Sequence, residues 1–181
     1  MKRIRKFTLE NYIPEYHDRL DGVHYEDKKR IVTDGHYLIA VQTFYPEGME
    51  NVTLYKDFDC WKEEKVFPNW KRTLVDISQG YESYDMNAND LSLCYKLKGS
   101  CIRFKDSEKT IGFISPMNLD VIIEFMNKFK SSKIYIPDDM HSAWKIVTDN
   151  TENFMLVMPM CEYAFVPCEY NIARKSLTIF S

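Results

Sequence analysis

A chain of 181 residues, 45% apolar and 14% aromatic, is long enough to bury a core without staples and too rich in large side chains to stay disordered. Its net charge of −3 offers no global pull toward nucleic acid, so any phosphate contact has to come from a local basic patch. Five cysteines without CxxC spacing, no apolar leader in MKRIRKFTLENY and no run near the ~20 residues of a membrane span point to a soluble, cytoplasmic chain with reduced thiols.

In chain order, residues 2 to 8 (KRIRKFT) alternate as a half-buried strand does. The following ENYIPEYHDRLDG reads as an irregular connection or a short helix broken at Pro14. From 22 to 45 the pattern is strand, turn, strand: GVHYED, KKRIVT and HYLIAVQTFY, rich in Val, Ile, Tyr and Thr. Asp34-Gly35 predicts a type I′ hairpin turn, since glycine carries no penalty at positive φ. A further strand is expected at NVTLY, and Pro68 makes FPNW a connecting loop. Residues 76 to 109 are weakly patterned, with a helix expected in NANDLSLCYKLKG and a strand in CIRF.

The clearest element is SPMNLDVIIEFMNKFK, residues 115 to 130. Ser115 suits the N-cap, Pro116 the first helical position, and Leu119, Ile122, Met126 and Phe129 recur along one face. Strands are expected at KIYI, SAWKIVT and NFMLVMPM, between Pro137-Asp138-Asp139 and Asp149-Asn150-Thr151 turns. With TIGFI ahead of the helix, this part reads βαβββ, and residues 2 to 45 read as a worn copy of the same unit. No linker separates the parts, so the expectation is one compact unit, residues 1–181, with approximate halves 1–75 and 76–181. NIARKSLTIF would add a strand in the tail.

Catalytic and metal chemistry find little footing. Asp34 and His36 sit too close in a hairpin turn to address each other, and no activated Ser or Cys lies nearby in sequence. His17, His24, His36 and His141 lack metal-ligand spacing, Cys161 and Cys168 would face opposite ways on one strand, and no GxGxxG or Walker loop is present. No enzyme activity, cofactor or metal is expected. Lys128, Lys130 and Lys133 near the helix end suit either phosphate contacts or a solvated face. In VMPM, Pro159 must interrupt the ladder of an apolar strand, leaving Met158 and Met160 either at a sheet margin fit for apolar peptide side chains or at an ordinary strand end.

Three separated pieces, VTDGHYLIAV, FPNWKRTL and NFMLVMPM, resemble in type and order the TDGH hairpin, the proline-basic linker and the C-terminal MPM strand of bacterial sliding clamps, the DNA polymerase III beta subunit family. The ISPMNLDVIIEFMNKF helix before MPM adds to the resemblance, which covers about two thirds of the chain. It implies an α+β, DNA-clamp-like fold of repeated βαβββ units with antiparallel sheets and few helices. It also implies a peptide pocket at the meeting of Thr33, Gly35, His36, Tyr37 and Leu38 with Pro68, Arg72 and Thr73, and with Val157, Met158, Pro159 and Met160. The implied partners are a short linear motif of a DNA polymerase or other clamp client and, after self-assembly into a ring, double-stranded DNA along Lys128, Lys130 and Lys133; no membrane partner is implied. A stand-alone interaction module that captures clients without touching DNA is the other reading; a small Cys or His hydrolase is a third. Departures from the family pattern are Tyr37 in place of Arg, Thr73 in place of an aliphatic, a tail from Cys161, and about half the length of a full clamp.

Overall fold

The computed structural model describes residues 9–13, 20, 22–55, 67–85, 102–106, 109–130, 133–139, 141–159 and 168–171. The expected strand at 2–8, the expected helix in 87–99, Met160 and residues 172–181 lie outside them.

Two three-stranded meanders make the centre of the molecule. The first is β1 (Gly22–Glu26), β2 (Lys29–Thr33) and β3 (Tyr37–Gln42). The second comprises β8 (Lys133–Pro137), β9 (Trp144–Val147) and β10 (Phe154–Val157). The last strand of each meander pairs antiparallel with the last strand of the other, Leu38 opposite Leu156 and Ile39 opposite Met155. With β4 (Val52–Tyr55) and β5 (Tyr81–Asp85) at the two edges, the sheet runs β4-β1-β2-β3-β10-β9-β8-β5. Strands from both ends of the chain therefore share one antiparallel sheet. A second sheet, β11-β6-β7, is formed by β6 (Ile102–Asp106), β7 (Lys109–Ile114) and β11 (Cys168–Asn171). The strand CEYN (β11) pairs parallel with β6.

The turns depart from the sequence reading. Asp34-Gly35 is not a type I′ turn, because Gly35 alone has positive φ, at 90°. Side chains build the corner instead: Asp34 Oδ1 accepts from the amides of His36 (2.7 Å) and Tyr37 (2.9 Å), and Thr33 Oγ1 accepts from Gly35 (3.1 Å). The two-residue turn with both φ positive is Asp27-Lys28, at 52° and 57°, between the paired Glu26 and Lys29. Its residues pay for left-handed backbone with external bonds, Asp27 N–H to Glu50 Oε1 and Lys28 N–H to Tyr45 Oη.

Helix α1 (Pro116–Phe129) begins where the sequence indicates, with Pro116 in the first turn and the Ser115 hydroxyl accepting from Asn118 N–H at 3.0 Å. It ends at Lys130 in the left-handed conformation. Leu119, Ile122, Phe125 and Met126 are buried against Val32, Ile39, Ile134, Ile146, Met155 and Val157, while Phe129 is only partly buried. The 3-10 turn Leu9–Tyr12 joins the same core through Leu9 and Tyr12. On the other face of the sheet, Ile31, Leu38, Ala40, Phe154 and Leu156 pack under Phe67 and Trp70 from the segment 67–75. Because β3 and β10 are covered on both faces, their sequences read as unbroken apolar runs, YLIAV and FMLV, instead of alternating.

Candidate functional site

The linker-covered face is not sealed. At the β2–β3 corner it leaves an apolar cleft of about 200 Å³, floored by Leu38 and Leu156 and walled by Gly35, His36 and Tyr37 on one side and by Pro68, Trp70 and Thr73 on the other; Met158 stands at its edge. The join is made by backbone hydrogen bonds: β10 pairs with β3 up to Val157, and the Met158 N–H then donates to His36 O at 2.7 Å, so the pairing runs one residue beyond the end of β10.

Of the sequence-derived residues, Thr33, Gly35, His36, Tyr37, Leu38, Pro68, Thr73 and Met158 line the cleft. Val157 does not: it is fully buried in the helix-side core, because neighbouring residues on a strand face opposite ways. Arg72 is exposed beside the cleft without lining it, Pro159 is half-buried just beyond Met158, and Met160 lies outside the described residues. Sequence reasoning missed Leu20, Trp70, Ala143 and Leu156. For Leu156 the signal was available, since it shares a face with Met158 at a spacing of two; Leu20 and Ala143 carried none.

The polar atoms of this wall are satisfied internally. Thr33 Oγ1 donates to Tyr37 O and Thr73 Oγ1 donates to Trp70 O at 2.6 Å, while the Tyr37 ring turns to the helix-side core, where its hydroxyl donates to Tyr12 O at 2.9 Å. Burial, with the Asp34 charge adding to it, pushes the Tyr37 hydroxyl far above the usual phenol range, so it stays a donor. The Asp34 carboxylate is engaged by two backbone amides, a turn-building role. What remains is an apolar hollow with its neighbouring polar groups already paired. Its volume is below the ~300–1,000 Å³ typical of sites that engulf a whole small molecule, and it suits side-chain anchors instead.

The linker that forms one wall is tied to β1 by an ionic cluster. Lys71 Nζ lies 2.6 Å from Glu26 Oε1 and 2.8 Å from Asp27 Oδ2, and the Trp70 indole N–H donates to Glu26 Oε2. His24 Nε2 is 3.4 Å from the same oxygen; its Nδ1 meets Thr53 Oγ1 at 3.0 Å, and its ring stacks on Phe67 with centroids 4.5 Å apart. Among the described residues no group of three or more His, Cys, Asp or Glu side chains is arranged to hold a metal ion. No helix among them is long and apolar enough to cross a membrane.

The lysines sit elsewhere. Lys128 and Lys130 are exposed at the end of α1, and Lys133 opens β8, half-buried, with Nζ 3.8 Å from Asp85. A larger hollow of about 290 Å³ lies past the far end of β3, lined by Lys28, Tyr45, Pro46 and Glu47 among others and rimmed by the exposed Phe44.

An eight-stranded antiparallel sheet backed by a helix and built from paired meanders is an α+β clamp-type architecture. In particular, the chain has the fold of the DNA polymerase III beta sliding clamps. It superposes on the clamp of Bartonella birtlesii, solved bound to griselimycin, with a TM-score of 0.62 at 14% identity, covering 84% of this chain and 62% of that one. For the beta chain of Streptococcus pneumoniae the values are 0.54 and 13%, over 87% and 61%. For that of Thermotoga maritima they are 0.52 and 12%, over 79% and 58%. This chain thus spans about three fifths of the length of the clamps it matches. No family model and no curated protein matches the sequence.

Proposed function

We propose that this protein is a non-enzymatic, clamp-like component of DNA replication or repair that holds a short extended peptide of a partner, such as a polymerase or another clamp client, in the cleft between the Asp34-Gly35 corner, the 67–75 linker and Met158. The observation that carries the reading is the bond from Met158 N–H to His36 O, which closes two remote segments around one apolar hollow while the linker walls it from above. Further support comes from the clamp of Caulobacter crescentus, a fold neighbour whose structure carries polyethylene glycol at the region proposed to tether the beta motif.

Burial of an apolar anchor would contribute roughly 1.5–3 kcal/mol each, so two anchors with a few backbone hydrogen bonds suit micromolar affinity. Titration with a clamp-client peptide tests this. Met158 is 42% exposed, so Met158→Ala spares the core while removing contact surface, and about a tenfold loss of affinity is expected. Equal binding by variant and parent would remove the cleft from consideration.

A second reading, an interaction module that does not bind DNA, is favoured by the charge on α1. Asp120 and Glu124 outnumber Lys128 on the helix itself, leaving the positive charge to Lys128, Lys130 and Lys133 at one end. Processive encirclement of DNA would require an oligomeric ring with those lysines facing the duplex. Sedimentation separates the two: a stable oligomer with salt-dependent DNA affinity supports the ring, and a monomer indifferent to primed DNA supports the module.

A further inference from the structure

We infer that Glu26, which does not touch the cleft, is the positioning residue that sets its geometry by holding the linker wall in place; the functional part of this inference rests on the peptide-binding reading above. Among the described residues, the backbone hydrogen bonds of the 67–75 segment are local, Arg72 N–H to Asn69 O and Leu74 N–H to Lys71 O, and none reaches the sheet. The segment is anchored through side chains. Phe67 and Trp70 supply apolar contact, stacking on His24 and meeting Phe154, which resists lifting but tolerates sliding. Direction comes from hydrogen bonds, and those that cross from the linker to the sheet converge on one side chain: the Trp70 indole N–H on Glu26 Oε2 and the Lys71 ammonium on Glu26 Oε1, with Asp27 as a second partner of Lys71.

Trp70 faces both ways. Its ring lines the cleft while its nitrogen is bonded to Glu26, so a shift of that carboxylate is a shift of the cleft wall. Glu26 is in turn backed by His24, which Thr53 of the edge strand β4 orients. Burial pulls the Glu26 carboxyl upward, but the Lys71 and Trp70 hydrogen bonds and the Lys71 charge outweigh it and hold the group below the usual glutamate range. The carboxylate is therefore ionised at neutral pH, the form that accepts both bonds.

Glu26→Gln is the first test, because it keeps shape and one acceptor oxygen while removing the charge. In the full chain, the variant is expected to bind the client peptide about tenfold more weakly, and the Trp70 indole N–H is expected to exchange with solvent faster by NMR. Lys71→Met should weaken binding in the same way, and the double variant should lose less than the two single losses combined, since both act through one cluster. Ile146→Val, buried on the helix side of the sheet, is the control for plain destabilisation and should leave affinity within about twofold. Parent-like affinity and indole exchange in Glu26→Gln would overturn the inference, as would an equal affinity loss in Ile146→Val. If the parent itself fails to bind the peptide, the proposed function falls, and the positioning role is then decided by the indole exchange alone: faster in Glu26→Gln supports it, unchanged overturns it.

Discussion

The two faces of the central sheet are covered by different kinds of chain, and only one face is closed. On the helix side, four turns of α1 lay Leu119, Ile122, Phe125 and Met126 into a continuous core with the inward residues of β1, β2, β3, β8, β9 and β10. On the other side, a nine-residue segment with one short 3-10 turn covers β2, β3 and β10 through Phe67, Trp70 and Val75. A helix satisfies its own backbone and can press an unbroken apolar stripe onto a sheet. An irregular segment reaches the sheet at a few side chains, and between them apolar floor is left open. The cleft at Leu38 and Leu156 is thus a product of what covers the sheet, since the strands themselves are equally apolar on both faces.

Cutting a large side chain from each face breaks this comparison most sharply. Phe125 is fully buried with partners all round, so Phe125→Ala should cost about 3–5 kcal/mol, read as a lowered urea midpoint at unchanged slope. Leu156→Ala removes a floor residue next to space that solvent already reaches, and its cost should fall near the low end of the range for such changes, about 2 kcal/mol. Equal losses at the two sites would mean that the linker seals its face as tightly as the helix does.

How much of this was legible in the sequence follows the same division. Helix α1 was readable to its caps, because Ser115, Pro116 and the apolar spacing are local signals that agree. The βαβββ order of β7, α1, β8, β9 and β10 and the strands of the first meander were readable for the same reason. The Asp34-Gly35 corner was misread in type, since whether a loop closes through two positive φ values or through Asp34 and Thr33 side chains depends on the register that the partner strands impose. The cleft opens at the corner occupied by Thr33, Gly35, His36 and Met158, residues of the TDGH and MPM segments. Val157 was assigned to it although strand alternation turns it away, and Leu156, which the same alternation turns toward it, was overlooked. The Glu26 cluster was illegible: nothing in GVHYEDKK announces that Trp70 and Lys71, more than forty positions on, will close on Glu26.

The smallest effect expected is a difference in pH response between the faces. His24 belongs to the linker-covered side, where Phe67 and Lys71 approach it from the linker, Thr53 from β4 and Glu26 from its own strand, with Glu50 farther off. Burial lowers its pKa below the ordinary value near 6.5, more than the Glu26 carboxylate raises it. A lowered folded value means the unfolded chain binds the proton more readily, so this contribution to stability is present above about pH 6.5 and is lost as pH falls from there toward the folded value. One proton sets a ceiling of about 1.4 kcal/mol per pH unit, and the slope from His24 should be a fraction of that because Glu26 opposes the burial term. Urea unfolding at about pH 7.5 and about pH 5 should therefore show a loss that is smaller in His24→Gln, which keeps a partner for Thr53 without a titrating ring. Phe125→Ala, whose site on the other face contains no histidine among the described residues, should keep the parent's full pH dependence; a flattened profile there, or an unchanged one in His24→Gln, would show that the two faces titrate alike and that the linker carries no protonation term of its own.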